Sequence, residues 1–289
     1  MGEPPPEWAE PDDWKQVPDP VPLPAPVVDN HTHLDAAGCR TADDVAAAMA
    51  RARAANVIGA ITVADDLASA RWAAAAATGH PDVWAAIGLH PTRADVLDDA
   101  TRTELAELAA GPRVVAVGET GLDHYWDAAP HDAQREAFAW HIALAKQLGK
   151  PLMIHDRNAH DAVFDVLAAE GAPDTVVFHC FSGDAAMARH CADRGFLMSF
   201  AGPVSFRNAK DLHAAARFAP AELLMVETDA PFLAPHPHRG RKNGPYALPY
   251  TLRAVAELRE TDIQDLAVTV TATTERVYSL TDLRRSTLV

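Results

Sequence analysis

Val27-Val28-Asp29-Asn30-His31-Thr32-His33 (VVDNHTH, residues 27–33) is a short apolar run that stops in two histidines one residue apart. In an extended strand alternate side chains point the same way, so both imidazoles of such a pair can face one cation. Four further runs end in the same manner: VVAVGE at 114–119, PLMIH at 151–155, TVVFH at 175–179 and LLMVETD at 223–229. Short runs of Val, Ile, Leu and Met bounded by turn residues read as buried parallel strands, apolar on both faces. The spacing thus places His31, His33, Glu119, His155, His179 and Asp229 at strand C-terminal ends. In an α/β barrel all those ends open onto one face, where chemistry is found.

Working outward, the candidate strands number eight: about 27–31, 57–63, 83–89, 113–119, 151–155, 175–179, 196–200 and 223–229. Helical patterns rich in alanine lie between and after them, at Ala42–Ala55, Asp66–Thr78, Thr101–Ala110, His131–Leu148, Asn158–Ala169, Asp184–Arg194, Ala209–Phe218 and Leu248–Arg259. Strict alternation of strand and helix predicts a single (β/α)8 barrel of the TIM type with right-handed crossovers. Local punctuation agrees: Thr41 with Asp44 has the form of an N-terminal capping box, and Leu148 is followed by Gly149 and Pro151. The segment from Ala230 to Tyr250 holds too many prolines and glycines for regular structure and reads as a long loop over the active face. A last amphipathic helix, about Asp262–Leu280, is expected to close the barrel's bottom or side.

A chain of 289 residues with 48% hydrophobic content can bury a large core, and it is read as one barrel domain over residues 27–289 behind a proline-rich arm over residues 1–26. Trp8 and Trp14 are the arm's candidate anchors. No apolar stretch approaches the roughly 18–20 residues needed to span a bilayer, so a membrane partner is not expected. Three cysteines, Cys39, Cys180 and Cys191, fit no Cys-x-x-Cys pattern and suggest a reducing, cytoplasmic setting. A net charge of −15 gives little long-range attraction for nucleic acid, so a polyanionic substrate must be held locally. The one dense basic stretch is HPHRGRKN, with His236, His238, Arg239, Arg241 and Lys242.

Imidazole and carboxylate ligands suit Zn²⁺ or Mn²⁺, whereas Mg²⁺ prefers oxygen and water. Six such groups exceed what one catalytic zinc takes while keeping an open position, so two divalent cations (Zn, Mg or Mn) are the better count. Glu119, between the early and the late histidines, is the natural bridge. The bland alternatives are a hydrogen-bonded histidine pair at 31 and 33 and carboxylates that cap a loop or a helix.

The motifs HTHLD (31–35), GLHP (88–91), GETGLD (118–123), IHDR (154–157), FHCFSG (178–183) and ETDAP (227–231) occur in an order that resembles the TatD family of metal-dependent deoxyribonucleases, over roughly residues 27–280. The resemblance implies an amidohydrolase-like barrel, a two-cation centre and hydrolysis of phosphodiesters, commonly as an exonuclease on DNA. It implies one cation held by His31, His33, Glu119 and Asp229, and a second held by Glu119, His155 and His179, with Glu119 shared. Asp229 is then the candidate to take the proton of the attacking water.

Around this set, His90 is a candidate donor to the substrate phosphate or the leaving oxygen, the alternative being a histidine that holds a loop. Arg157 can pair with a phosphate or else with Asp156 or Asp123. Asp123 is expected to fix a ligand histidine, and Ser199 to be structural. Tyr125 and Trp126 can stack a base or simply pack their loop, and Arg239 and Arg241 sit in the stretch where a nucleotide backbone would rest. Two features depart from the family pattern: Lys242-Asn243-Gly244-Pro245 stands where Arg-Asn-Glu-Pro is usual, and ATTERVYSL lacks the common asparagine. Other readings remain open, namely hydrolysis of a carboxylic ester or amide on the same centre, including an aminoacyl group on transfer RNA, and a non-catalytic barrel.

Overall fold

The apolar runs become strands because both faces of each meet apolar neighbours. In the computed structural model, which describes residues 15–280, they form one parallel eight-stranded sheet in chain order. The strands are β1 (Val27–Thr32), β2 (Val57–Val63), β3 (Val83–Ile87), β4 (Val114–Asp123), β5 (Leu152–Arg157), β6 (Val176–Phe178), β7 (Leu197–Phe200) and β8 (Leu224–Val226). Every residue of β1, β3 and β4 is buried. Between and after them run α1 (Ala42–Ala54), α2 (Leu67–Gly79), α3 (Asp99–Ala109), α4 (His131–Leu148), α5 (His160–Glu170), α6 (Ala185–Ala192), α7 (Lys210–Phe218), α8 (Leu248–Arg259) and α9 (Ile263–Tyr278). The architecture is the expected (β/α)8 barrel. Thr41 and Asp44 form the capping box at α1, and Gly149, at φ +61°, ends α4.

The ring is nearly closed. Between β8 and β1 regular pairing gives way to single bonds: His33 N–H donates to Ala230 O at 2.7 Å and Asp229 N–H to His31 O at 3.0 Å. Asp29 adds a side-chain clasp, accepting from Thr228 N–H at 2.9 Å and from Thr228 Oγ1 at 2.5 Å. Burial pushes its carboxyl up to about 8 against the pull of those bonds. One apolar cluster, with Ile61, Trp84, Met153 and Met225, fills the barrel interior, and Val277, Tyr278 and Leu280 at the end of α9 complete it. A larger cluster lies between sheet and helices.

Two expectations about the strands need correction. Glu119 and His155 do not end their strands: β4 runs on to Asp123 and β5 to Arg157. Pairing between them slips from Val117↔Leu152 to Thr120↔Ile154, so β4 carries one extra residue at Gly118-Glu119. Such a bulge turns a side chain out of the alternation, which is how Glu119 reaches the pocket from within a strand. Gly118 permits it: its φ is +150°, and a Cβ there would lie 2.5 Å from Met153 O. β8 is also shorter than expected, ending at Val226, after which Asp229 adopts a positive φ of 53° that aspartate tolerates better than most residues.

The arm is docked from residue 15 onward. Val17 N–H donates to Lys242 O at 2.9 Å and Lys242 N–H to Lys15 O at 3.0 Å, while Tyr246 Oη donates to Val17 O at 2.6 Å. Val17 and Leu23 are buried in the main core. Trp8 and Trp14 lie outside the described residues.

Candidate metal centre

At the C-terminal mouth of the barrel, β1 delivers His31 and His33, the β4 bulge delivers Glu119, and the turn after β8 delivers Asp229. His31 Nε2 and His33 Nε2 are 3.2 Å apart. They stand 3.7 and 3.5 Å from Glu119 Oε1 and 3.6 and 3.3 Å from Asp229 Oδ1. Ligands at 2.0–2.2 Å around a tetrahedral cation would be separated by about 3.3–3.6 Å, which these distances approach.

Glu119 turns its other oxygen the opposite way. Oε2 lies 2.7 Å from His179 Nε2 and 3.3 Å from His155 Nδ1, and those two nitrogens are 3.5 Å apart. Three converging donors leave a fourth position open, as catalytic sites do. All six residues lie at this mouth, and the trios His31–His33–Asp229 and Glu119–His155–His179 are each close enough to hold a metal.

The electrostatics show how tightly the set is coupled. Burial alone would raise Glu119, yet His179, His155 and His31 hold its carboxyl well below the usual range. Asp229 is likewise lowered against burial by His33 and His31. Burial opposes charge on His179, but Glu119 and Glu227 on either side outweigh it and place it well above the ordinary histidine value. His33 is raised against burial chiefly by Asp65, and His155 against burial by Asp123 and Glu119. His31, buried and stacked on His179 at 3.9 Å between ring centres, is lowered.

Asp123 has the expected supporting part. Its Oδ2 is 3.0 Å from His155 Nε2, while Oδ1 accepts the Tyr125 and Trp126 N–H groups at 2.9 Å each, which ties the histidine to the aromatic loop. His90 approaches from β3, with Nε2 3.2 Å from His155 Nδ1. Thr92 N–H donates to its Nδ1 at 3.2 Å, so the neutral ring carries its proton on Nε2, toward the pocket. Burial, helped by His155, lowers His90 to about 3 and keeps it neutral. Ser199 accepts from Asn30 Nδ2 at 2.8 Å, inside the barrel.

Arg157 does not pair with Asp156 or Asp123. Its guanidinium lies over the Tyr125 ring at 3.9 Å, and Tyr125 is 54% exposed. Arg239 is exposed and lies over Phe206 at 4.3 Å. Arg241 instead turns toward the arm and donates to Gln16 O at 3.4 Å. The sequence reading missed three neighbours: Glu227, 3.2 Å from His179 Nδ1; Met153, whose sulfur is 3.1 Å from His31 Nδ1; and Asp65, 3.6 Å from His33 Nδ1. The signal available for Glu227 was its place directly after the apolar LLMV run. Among the described residues no helix is long and apolar enough to cross a membrane, and the three cysteines are free.

A barrel of parallel strands with histidines and carboxylates gathered at its C-terminal mouth is the arrangement of a metal-dependent hydrolase. The model for TatD related DNase matches residues 28–279, and the chain belongs to this TatD family. An uncharacterized metal-dependent hydrolase, TatD, of Mycobacterium tuberculosis is 58% identical over 265 residues, covering 90% of this chain and 100% of the relative. A protein of Escherichia fergusonii named 3'-5' ssDNA/RNA exonuclease TatD is 32% identical over 245 residues, covering 82% and 93%. Among solved structures, the Escherichia coli TatD homologue YjjV superposes with a TM-score of 0.82 at 27% identity, covering 88% of this chain and 98% of that one.

Proposed function

We infer that this hydrolase cleaves phosphodiester bonds of single-stranded DNA as an exonuclease, using two divalent cations. The reading rests on one observation above the rest: Glu119 turns Oε1 toward His31 and His33, which also face Asp229, and Oε2 toward His155 and His179. The name of the Escherichia fergusonii relative supports the substrate class. A pair of cations in such a centre supplies Lewis acidity for the phosphate and lowers the pKa of the attacking water.

The protein groups do the rest. Asp229, ionised and facing both first-strand histidines, accepts the proton of the water. His90 donates from Nε2 to a phosphate oxygen or the leaving oxygen. Arg157, stacked on Tyr125 beside the pocket, binds a second phosphate through its fork of donors while the exposed ring takes a base. Arg239, exposed over Phe206 of the segment after β7, can follow the nucleotide backbone further along the mouth. Arg241 is a weaker contact because it is already engaged with Gln16. The domain is residues 27–289, with residues 1–26 as its arm.

The test is metal-depleted protein reloaded with Mn²⁺, Mg²⁺ or Zn²⁺ and assayed on end-labelled single-stranded DNA, an activated phosphodiester and an aminoacyl ester. Stepwise shortening of the DNA is expected. Turnover of the ester alone would move the protein to carbonyl chemistry. Failure to take up any cation, with no activity on all three, would make it a binding barrel.

A further inference from the structure

Glu227 is 0% exposed, yet only half of its carboxylate is satisfied. Oε1 accepts the Cys180 N–H at 2.7 Å and faces His179 Nδ1 at 3.2 Å, while Oε2 meets no hydrogen-bond donor. A buried carboxylate left so is costly unless positive charge stands close by. What stands close is the His31–His179 stack, whose ligating atoms lie within 4.8 Å of the Glu227 oxygen. We propose that Glu227 is a positioning residue for the second cation, fixing the proton of His179 on Nδ1 and so turning the Nε2 lone pair toward Glu119 Oε2.

This rests on the two-cation reading and deepens it. Asp123 does the same for His155 from the other ring nitrogen, so both histidines of the second cluster are backed by a carboxylate. The histidines of the first cluster lean differently. His31 Nδ1 meets the Met153 thioether at 3.1 Å, and His33 Nδ1 meets the Val63 carbonyl at 3.1 Å, with Asp65 further off at 3.6 Å. A carboxylate behind an imidazole raises its basicity as a ligand, and losing such a partner weakens metal binding about 10–100-fold.

The experiment is calorimetric titration of metal-free, full-length protein with Mn²⁺, alongside the melting temperature of the metal-free form. Wild type is expected to bind in two steps. In Glu227→Gln one step weakens about 10–100-fold and the other holds, and the melt of the metal-free form shows that the variant still folds. Asp123→Asn weakens that same step. Both steps unchanged in Glu227→Gln, or both weakened to the same extent in a variant that still folds, would overturn the assignment. A readout independent of variants is the tautomer of His179 in Zn²⁺-loaded wild type labelled with nitrogen-15 histidine. Protonation at Nδ1 supports the proposal, and protonation at Nε2 ends it. A single binding step in wild type would sink the two-cation reading itself, and the His179 tautomer would still decide the part played by Glu227.

Discussion

The two halves of the centre share one glutamate but are built on different plans. In the first, two histidines come from one strand and two carboxylate oxygens face them, while a thioether and a carbonyl sit close behind the rings. In the second, histidines come from separate strands, only Glu119 faces them, and Asp123 and Glu227 stand behind. The first half thus has two carboxylates ahead of its imidazoles and one, Asp65, behind His33, whereas in the second one carboxylate stands ahead and each imidazole has another at its back. On the proposed two-cation reading, each half is anionic enough to draw a dication while the second keeps acidic groups out of its open position.

The sharpest way to break this comparison is Glu119→Gln, the residue common to both halves. Loss of a bridging charge should remove both cation-binding steps and lower turnover by about three orders of magnitude or more, a barrier change of several kcal/mol. If one half still loaded normally, Glu119 would not be shared. Asp229→Asn touches only the first half. It should cost about 10²–10⁴-fold in kcat and leave the second binding step intact, and parent-rate hydrolysis would remove Asp229 from catalysis. Arg157→Met lies outside both halves and should raise KM for an oligonucleotide about tenfold with little change on a small activated phosphodiester. Equal losses on the two substrates would place Arg157 in the chemistry instead.

The smallest effect is on stability against pH in the metal-free protein. His33, His155 and His179 have folded pKa values above the unfolded 6.5, so their contribution is present below that pH and fades as pH rises through the folded values. Asp29, raised to about 8, erodes stability in the same direction from about pH 4 upward. Glu119, Asp123 and Asp229, all lowered, lose their contribution on the acid side. Thermal melts should therefore show metal-free protein weakening above pH 6.5, and Zn²⁺ should reverse the slope, since ligands that give up protons bind more tightly as pH rises. A flat alkaline profile would mean that the histidines are not held as imidazoliums.

Much of this was legible in the chain. Apolar runs between turn residues marked all eight strands, and the polar residue closing each run marked the centre, because burial on both faces leaves a recognisable local composition. What stayed hidden depends on partners distant in sequence. The β4 bulge exists only against β5, so no local pattern showed that Glu119 sits four residues before its strand ends. Glu227 looked like a neighbour of Asp229 until His179 was seen beside it. Arg241 read as free cationic surface until the arm supplied Gln16 O. Composition likewise offered only Trp8 and Trp14 as anchors for the arm, whereas hydrogen bonds of Lys242, Tyr246 and Arg253 hold residues 15–22.

That docked segment is strapped to Lys242. Lys242 precedes Asn243, whose amide group grips Thr228 O and Phe232 O at 2.9 Å each, one residue from Asp229. Loosening this strap would reach Asp229 through Lys242 and Asn243. Leu280, by contrast, packs into the barrel-interior cluster with Val277 and Tyr278 and touches none of these groups.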